Sequence, residues 1–285
     1  MRHEAAVVPI RLSRAGLRLW VPLLISAALA PAALAGGPAA ALQGAADADI
    51  TQYPDQVSIR YRGSHVCGGS LIDPRHVLAP ASCLDVMAAT ALTVRTGSGL
   101  LDAARTSEGD GEPGVEERIS RAEIHPGYDP ATRVGDLAVL TLAAPVPFGP
   151  TRQAADLPEQ GSDPAPGTTA MVAGWGATAP WSAARSPVLR AAAVRIVERS
   201  ACQSTGATDL GTEWLCASAP GESACRGDDG DPLTVGGTLI GLATLPPAAP
   251  GTEEPTAGRC RTDSSPDVYV NIGAYSDWIR SAAGQ

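Results

Sequence analysis

Positive charge is scarce in this chain. Its 21 basic residues are all arginine and stand against 30 acidic ones, which leaves a net charge of −9. A surface of that sign has no general attraction for nucleic acid or anionic lipid, so neither is expected as a partner. Apolar runs at helical spacing are also few, and phenylalanine occurs once. With 31 glycines and 25 prolines, this favours a turn-rich β protein over a helical bundle. There is no C-x-x-C pair and no His/Cys cluster, so no zinc site or other metal is expected, nor any cofactor. Beyond the N-terminus no segment is apolar enough to cross a membrane.

The N-terminal stretch has the make-up of an export signal. Arg11, Arg14 and Arg18 lead into LRLWVPLLISAALAPAALA, which ends in small residues. Two A-x-A sites follow, so residues 1–41 are read as a signal peptide cleaved after Ala35 or after Ala41. Pro22 and Pro31 interrupt the apolar run and leave it short for a membrane anchor. The mature chain is therefore expected to be secreted. All six cysteines, Cys67, Cys83, Cys202, Cys216, Cys225 and Cys260, lie in this exported part. An even number in a secreted chain suggests three disulfides, with 15 pairings open on numbers alone.

Short apolar alternations recur between turn residues: QVSIRYRG, HVLAP, ALTVRTG, DLAVLTL, TAMVAGWG, TVGGTLIGLATL and DVYVNI. They read as strands, with no long helix between them, and the fold class is all-β. Ile272, Tyr275 and Ile279 have helical spacing and suggest one closing helix. LDAARTSEGDGEPGVEE and PPAAPGTEEPTAGR read as loops, and a Pro/Gly-rich segment near 156–167 would join two halves.

Seven segments occur in a familiar order: YPDQVSIR, HVCGGSLIDPRHVLAPASC, AEIHPGYDPATRVGDLAVLTLAAPV, TAMVAGWGAT, ESACRGDDGDP, GTLIGLATL and SPDVYVNIGAYSDWI. The pattern resembles the chymotrypsin/trypsin family of serine proteases over nearly all of residues 42–285. The resemblance implies two antiparallel six-stranded β-barrels with a cleft between them and a C-terminal helix. It also selects Cys67–Cys83, Cys202–Cys216 and Cys225–Cys260 among the possible pairings.

At the working positions the chain departs from that pattern. The family's chemistry needs a hydroxyl nucleophile, an imidazole base and an orienting carboxylate. The run VLAPASC puts Ser82 where the histidine is expected, and a serine hydroxyl cannot accept a proton near neutral pH. His76 is expected along a barrel wall, His65 as a structural histidine and His125 in a surface turn; none is a natural replacement base. Asp136 in GDLAVL retains the acid, with hydrogen bonding to backbone amides and to Ser82 as its expected residual role. In GDDGDP, Asp229 takes the nucleophile's place, Gly227 an oxyanion-hole position, and Asp231 replaces a glycine. A carboxylate about 4 Å from a developing oxyanion costs roughly 4 kcal/mol at an effective dielectric near 20, about a thousandfold in rate.

The binding positions are altered too. Ser223 stands where a trypsin-like pocket carries its aspartate, and Asp267 replaces a pocket-wall glycine. Thr244-Leu245-Pro246 takes the place of the strand that pairs with substrate, where Pro246 has no N–H to donate. Cleavage after Ala41 would free Leu42 to pair with Asp228, whereas cleavage after Ala35 would leave Asp228 to His65.

The leading expectation is a secreted protease homologue that has lost its histidine and serine and serves as a binding or regulatory module, its partner another protein. Residues 247–258 form the long loop offered as a contact. The alternative is a divergent hydrolase using Asp136 and Asp229 as a carboxylate pair. A third reading, a cation site at Asp228, Asp229 and Asp231, lacks the ligand series of a calcium loop.

Overall fold

The computed structural model describes residues 45–85, 87–102, 114–177, 184–202, 210–218, 228–244 and 266–285. Six strands make the first barrel: β2 (Gln56–Tyr61), β3 (Ser64–Leu71), β4 (His76–Ala79), β5 (Leu92–Thr96), β6 (Val115–Ile124) and β7 (Ala138–Leu142), after a short β1 (Ala46–Asp47). They close antiparallel in the order β2-β3-β4-β7-β6-β5. Residues 143–168 then lead to β8 (Thr169–Gly174), β9 (Arg190–Val197), α1 (Arg199–Cys202), β10 (Trp214–Ser218), β11 (Pro232–Val235), β12 (Thr238–Ala243), β13 (Asp267–Asn271) and α2 (Ser276–Ala283). The order β9-β10-β13-β12-β11-β8 closes through the β8–β9 pairing, and β1 adds to β9. The fold is all-β with two six-stranded barrels. Among the described residues no helix is long and apolar enough to cross a membrane.

Strand periodicity explains how the barrels both fill and join. Successive side chains point to opposite faces, so Val77 of β4 and Ala138, Leu140 and Leu142 of β7 enter the first barrel with Val57, Ile59 and Val94. Their alternates, Leu78 and Val139, face outward and meet Trp214, Leu239, Leu242, Val268 and Ile279. That second cluster is the seam between the barrels, and it is why β4 and β7 read as unbroken apolar runs rather than half-polar strands. Val172, Val194, Ile196, Leu215, Leu233 and Tyr269 fill the second barrel.

Some elements differ from the sequence reading. TVGGTLIGLATL is a hairpin, not one strand: Gly236 and Gly237 sit at φ +58° and +88°, which a tight two-residue turn requires. Residues 115–117, taken as loop, open β6, whose side chains are mostly exposed or half-exposed. A strand with little buried surface carries no apolar alternation to detect. β9 and β10 also gave no signal, the first because Ala191 and Ala193 flank its inward Ala192 and blur the alternation, the second because it is short.

Two disulfides are present among the described residues, Cys67–Cys83 and Cys202–Cys216. The expected Cys225–Cys260 pair lies outside them. Cys67–Cys83 joins β3 to the turn after β4 and closes a loop with a sequence separation of 16. Replacing both cysteines by alanine is expected to lower unfolding stability by about 3 kcal/mol, the loop-closure value for that length. Urea unfolding of the variant measures it, and an unchanged midpoint would show that the staple is dispensable.

Candidate active site

Asp136 lies two residues before β7 at the seam and is completely buried. Its carboxylate takes three donors. Ser82 N–H reaches Oδ1 at 2.7 Å, Ser82 Oγ reaches Oδ2 at 2.9 Å, and Thr244 Oγ1 reaches Oδ2 at 2.8 Å. Ser82 comes from the 3-10 turn Ala81–Leu84, held by the Cys83 disulfide, and Thr244 follows the end of β12. Elements of both barrels therefore converge on one acid. Burial pushes the Asp136 carboxyl above its ordinary range, while the three hydrogen bonds pull it back. In this arrangement both hydroxyls donate to the carboxylate, and a hydroxyl oxygen is too weakly basic to take an imidazole's part near neutral pH.

Each described histidine is engaged elsewhere. His65 Nδ1 hydrogen-bonds Ser58 Oγ at 2.8 Å and lies edge-on to Trp175. His76 Nδ1 bonds Asp73 Oδ2 at 2.7 Å. His125 accepts from Gly127 N–H and sits between Tyr275 and Trp278, with ring centroids 4.9 and 4.8 Å away. No described histidine touches Asp136, whose partners are Ser82 and Thr244 with Arg133 as the nearby charge.

The loop 228–231 packs against the same region. The carbonyl of half-buried Asp229 accepts from Gly68 N–H at 2.7 Å, and the Gly230 N–H donates to the Ala243 carbonyl at 2.8 Å. Gly230 adopts φ +85°, and a Cβ there would lie 2.5 Å from Gly68 O and 2.7 Å from Pro80 Cδ. Only glycine passes between β3 and the turn that carries Ser82.

Asp231 is the most unusual group at the site. It is completely buried between the barrels, and its Oδ1 accepts from Gln56 Nε2 at 3.1 Å. Oδ2 receives no donor among the described residues. The carboxyl instead feels the Asp228 carboxyl, and a like charge beside a buried acid favours the neutral form. Gly174 and Gly68 make the room: a Cβ on either would lie 1.5 Å from Oδ2 or 2.2 Å from Oδ1. Burial, and then the negative Asp228, hold the Asp231 carboxyl well above the usual carboxylate range.

The structure thus brings Ser82, Asp136, Thr244 and loop 228–231 together. Asp267 is the first residue of β13, buried and opposite Ala217, and its neighbour Val268 accepts from Thr244 N–H at 3.2 Å. Gly227, Ser223, Leu245, Pro246 and the loop 247–258 lie outside the described residues, as does Leu42. Sequence reasoning missed Gln56 and Gly174, which read as ordinary strand positions. It also missed Tyr128, whose hydroxyl donates to Asp85 at 2.9 Å and meets Arg133 at 3.0 Å beside Asp136. Among the described residues no group of three or more His, Cys, Asp or Glu side chains is arranged to hold a metal ion.

The raised Asp231 carboxyl has a consequence for stability. Folding takes up a proton there, so the stabilisation is full below the ordinary carboxylate range and is lost as pH rises through the raised value. In Asp231→Asn the amide donates to Asp228 and has no proton to lose. Between about pH 5 and about pH 8 the wild type is expected to lose at least about 1 kcal/mol more stability than the variant. Urea unfolding at both pH values gives the difference; buried Asp55 and Asp136, also raised by burial, act alike in both proteins. Equal slopes would show that Asp231 is ionised in the fold.

Comparison with known proteins agrees with this architecture. The family model described as Trypsin matches residues 42–279. Trypsin beta of Drosophila erecta is 31% identical over 233 residues, 81% of this chain and 83% of the relative. Trypsin alpha of Drosophila melanogaster is 32% identical over 237 residues, 82% of this chain and 84% of the relative. Human heparin binding protein superposes with a TM-score of 0.69 at 27% identity, covering 85% of this chain and 96% of that one. Neuropsin, a serine protease expressed in the limbic system of mouse brain, gives 0.70 at 23%, covering 84% and 98%. With both barrels, the two described disulfides and a buried acid at their seam, the chain belongs to the trypsin-like serine protease family.

Proposed function

We propose that this chain is a secreted family member without peptidase activity, kept as a protein-binding or regulatory module. The carrying observation is the state of Asp136: Ser82 and Thr244 occupy its carboxylate, with no imidazole beside it. On this reading Ser82 stands at the family's histidine position and Asp229 at its serine position. Base and nucleophile act as a unit, so loss of either removes most of the rate, and here both are replaced. Asp229 and Asp231 put two acids that the family pattern lacks where a developing oxyanion would need donors. The N-terminal signal and the disulfides support secretion.

The fold has room for such a role, since one structural neighbour is named as human heparin binding protein. A polyanion does not suit a chain with a net charge of −9. A protein partner fits better.

The test is a peptidase and esterase assay of the secreted protein beside Asp136→Ala and Asp229→Ala. No turnover above the variants is expected. Turnover that disappears in either variant would overturn the proposal and make the two carboxylates a working pair. A second experiment restores the pattern: Ser82→His, Asp229→Ser and Asp231→Gly together. If only these positions disable the site, ester hydrolysis rises by at least about a hundredfold, the usual contribution of a positioned base. A folded triple variant that stays inert would place a further defect elsewhere in the cleft.

A further inference from the structure

The chain contains four Asp–Pro bonds: Asp73–Pro74, Asp129–Pro130, Asp163–Pro164 and Asp231–Pro232. This dipeptide has a reactivity of its own. The aspartyl carboxyl can reach its own backbone carbonyl carbon through a five-membered ring, and the proline nitrogen is a tertiary amide, more basic than other peptide nitrogens. The step needs a neutral carboxyl, because the carboxyl proton must end on the departing nitrogen.

Three of the four are held against it. Asp73 accepts from Arg75 N–H at 2.7 Å, His76 N–H at 2.8 Å, His76 Nδ1 at 2.7 Å and Gln285 Nε2 at 3.0 Å. Asp129 accepts from Ala131 N–H and Thr132 Oγ1, both at 2.9 Å. Asp163 is ion-paired with Arg199. The donors to Asp73 and Asp129 favour the ionised form, and in all three side chains carboxylate oxygens are tied to other partners.

Asp231 is the opposite case. Its side chain is buried, short of donors and under the influence of the acidic Asp228. Its backbone carbonyl accepts the Ala243 N–H at 2.9 Å, a donor fixed by β12 and already in place for charge developing on that oxygen. Pro232 opens β11 and is paired with Leu242, so the leaving nitrogen is also held. We infer that Asp231–Pro232 is a self-cleavage site, at which the folded protein breaks its own chain in mild acid. An Asp231 carboxyl oxygen bonds to the Asp231 carbonyl carbon, and the bond from that carbon to the Pro232 nitrogen breaks. The carboxyl proton passes to that nitrogen, which leaves as a secondary amine. The cyclic anhydride then takes up one water and becomes a C-terminal aspartate.

The charged groups that act on Asp231 are Asp228 and Asp229 of its own loop, while β2 contributes neutral Gln56 and β3 and β8 contribute Gly68 and Gly174. Both neighbouring charges favour the neutral carboxyl. Each pKa unit gained by burial multiplies the protonated fraction above the ordinary range about tenfold.

The experiment holds the intact protein at about pH 5 and about pH 8, followed by reduction and mass analysis. A fragment beginning at Pro232 is expected, faster in acid and at least about tenfold faster than breakage at any of the other three bonds. Hydroxylamine in the buffer should convert the new Asp231 terminus to its hydroxamate, the mark of an anhydride. Pro232→Ala and Asp231→Asn should abolish the fragment. In guanidinium chloride at the same acid pH the unaltered protein should lose the preference for this bond, a control that requires no variant to fold. Absence of the fragment, a terminus that hydroxylamine never captures, or the same preference in guanidinium would each overturn the inference.

Discussion

A fully buried carboxylate must be given donors, or it takes up a proton or drags water in with it. Asp136 obtains its donors from both halves of the molecule, Ser82 from the first barrel and Thr244 from the second. This contact sits beside the apolar seam where Leu78 and Val139 of one barrel meet Leu239, Leu242 and Val268 of the other. The acid therefore does for the architecture what an imidazole would otherwise demand of it. It ties the turn after β4 to the end of β12, whether or not any substrate is processed. A hydroxyl is well suited to this task because it donates one proton and asks for little space.

Loop 228–231 meets the same requirement less completely. Its backbone is well supplied: Asp231 N–H bonds Asp228 O, Gly230 N–H bonds Ala243 O, and Ala243 N–H bonds Asp231 O. Its side chains are not. Asp231 receives one amide from Gln56 and otherwise faces another acid. Two buried acids in one site thus differ in kind: Asp136 is supplied with three direct hydrogen bonds, whereas burial and the negative Asp228 push Asp231 toward its neutral form. The glycines at 68 and 174 decide this. They leave space for the carboxyl but bring no side-chain donor to it.

The sequence made much of this legible. Both barrels and two of the disulfides followed from the order of motifs, and Asp136 with its bond to Ser82 followed from the strand start GDLAVL. What could not be read was contact between remote segments. Gln56 and Asp231 are 175 residues apart, and nothing in QVSIR distinguishes a glutamine that reaches across the barrels from one that faces solvent. Bulk and charge could be foreseen at Asp231, but not that Gly174 would stand aside for it. β6 escaped for a simpler reason: its side chains bury so little that no alternation records the strand.

The contrast between the two acids bears on how such a site changes character. An acid saturated by hydroxyls, as Asp136 is, needs no imidazole to be held in the fold. On the proposed reading the adjoining loop need not stabilise developing negative charge, and acids are tolerated there. What constrains them afterwards is burial alone. Asp229 is half-exposed, whereas Asp231 is completely buried at the seam, where burial and the negative Asp228 favour its neutral form. On the inference drawn for Asp231–Pro232, the chemistry open to the loop is that of an aspartic acid followed by proline, directed at its own backbone.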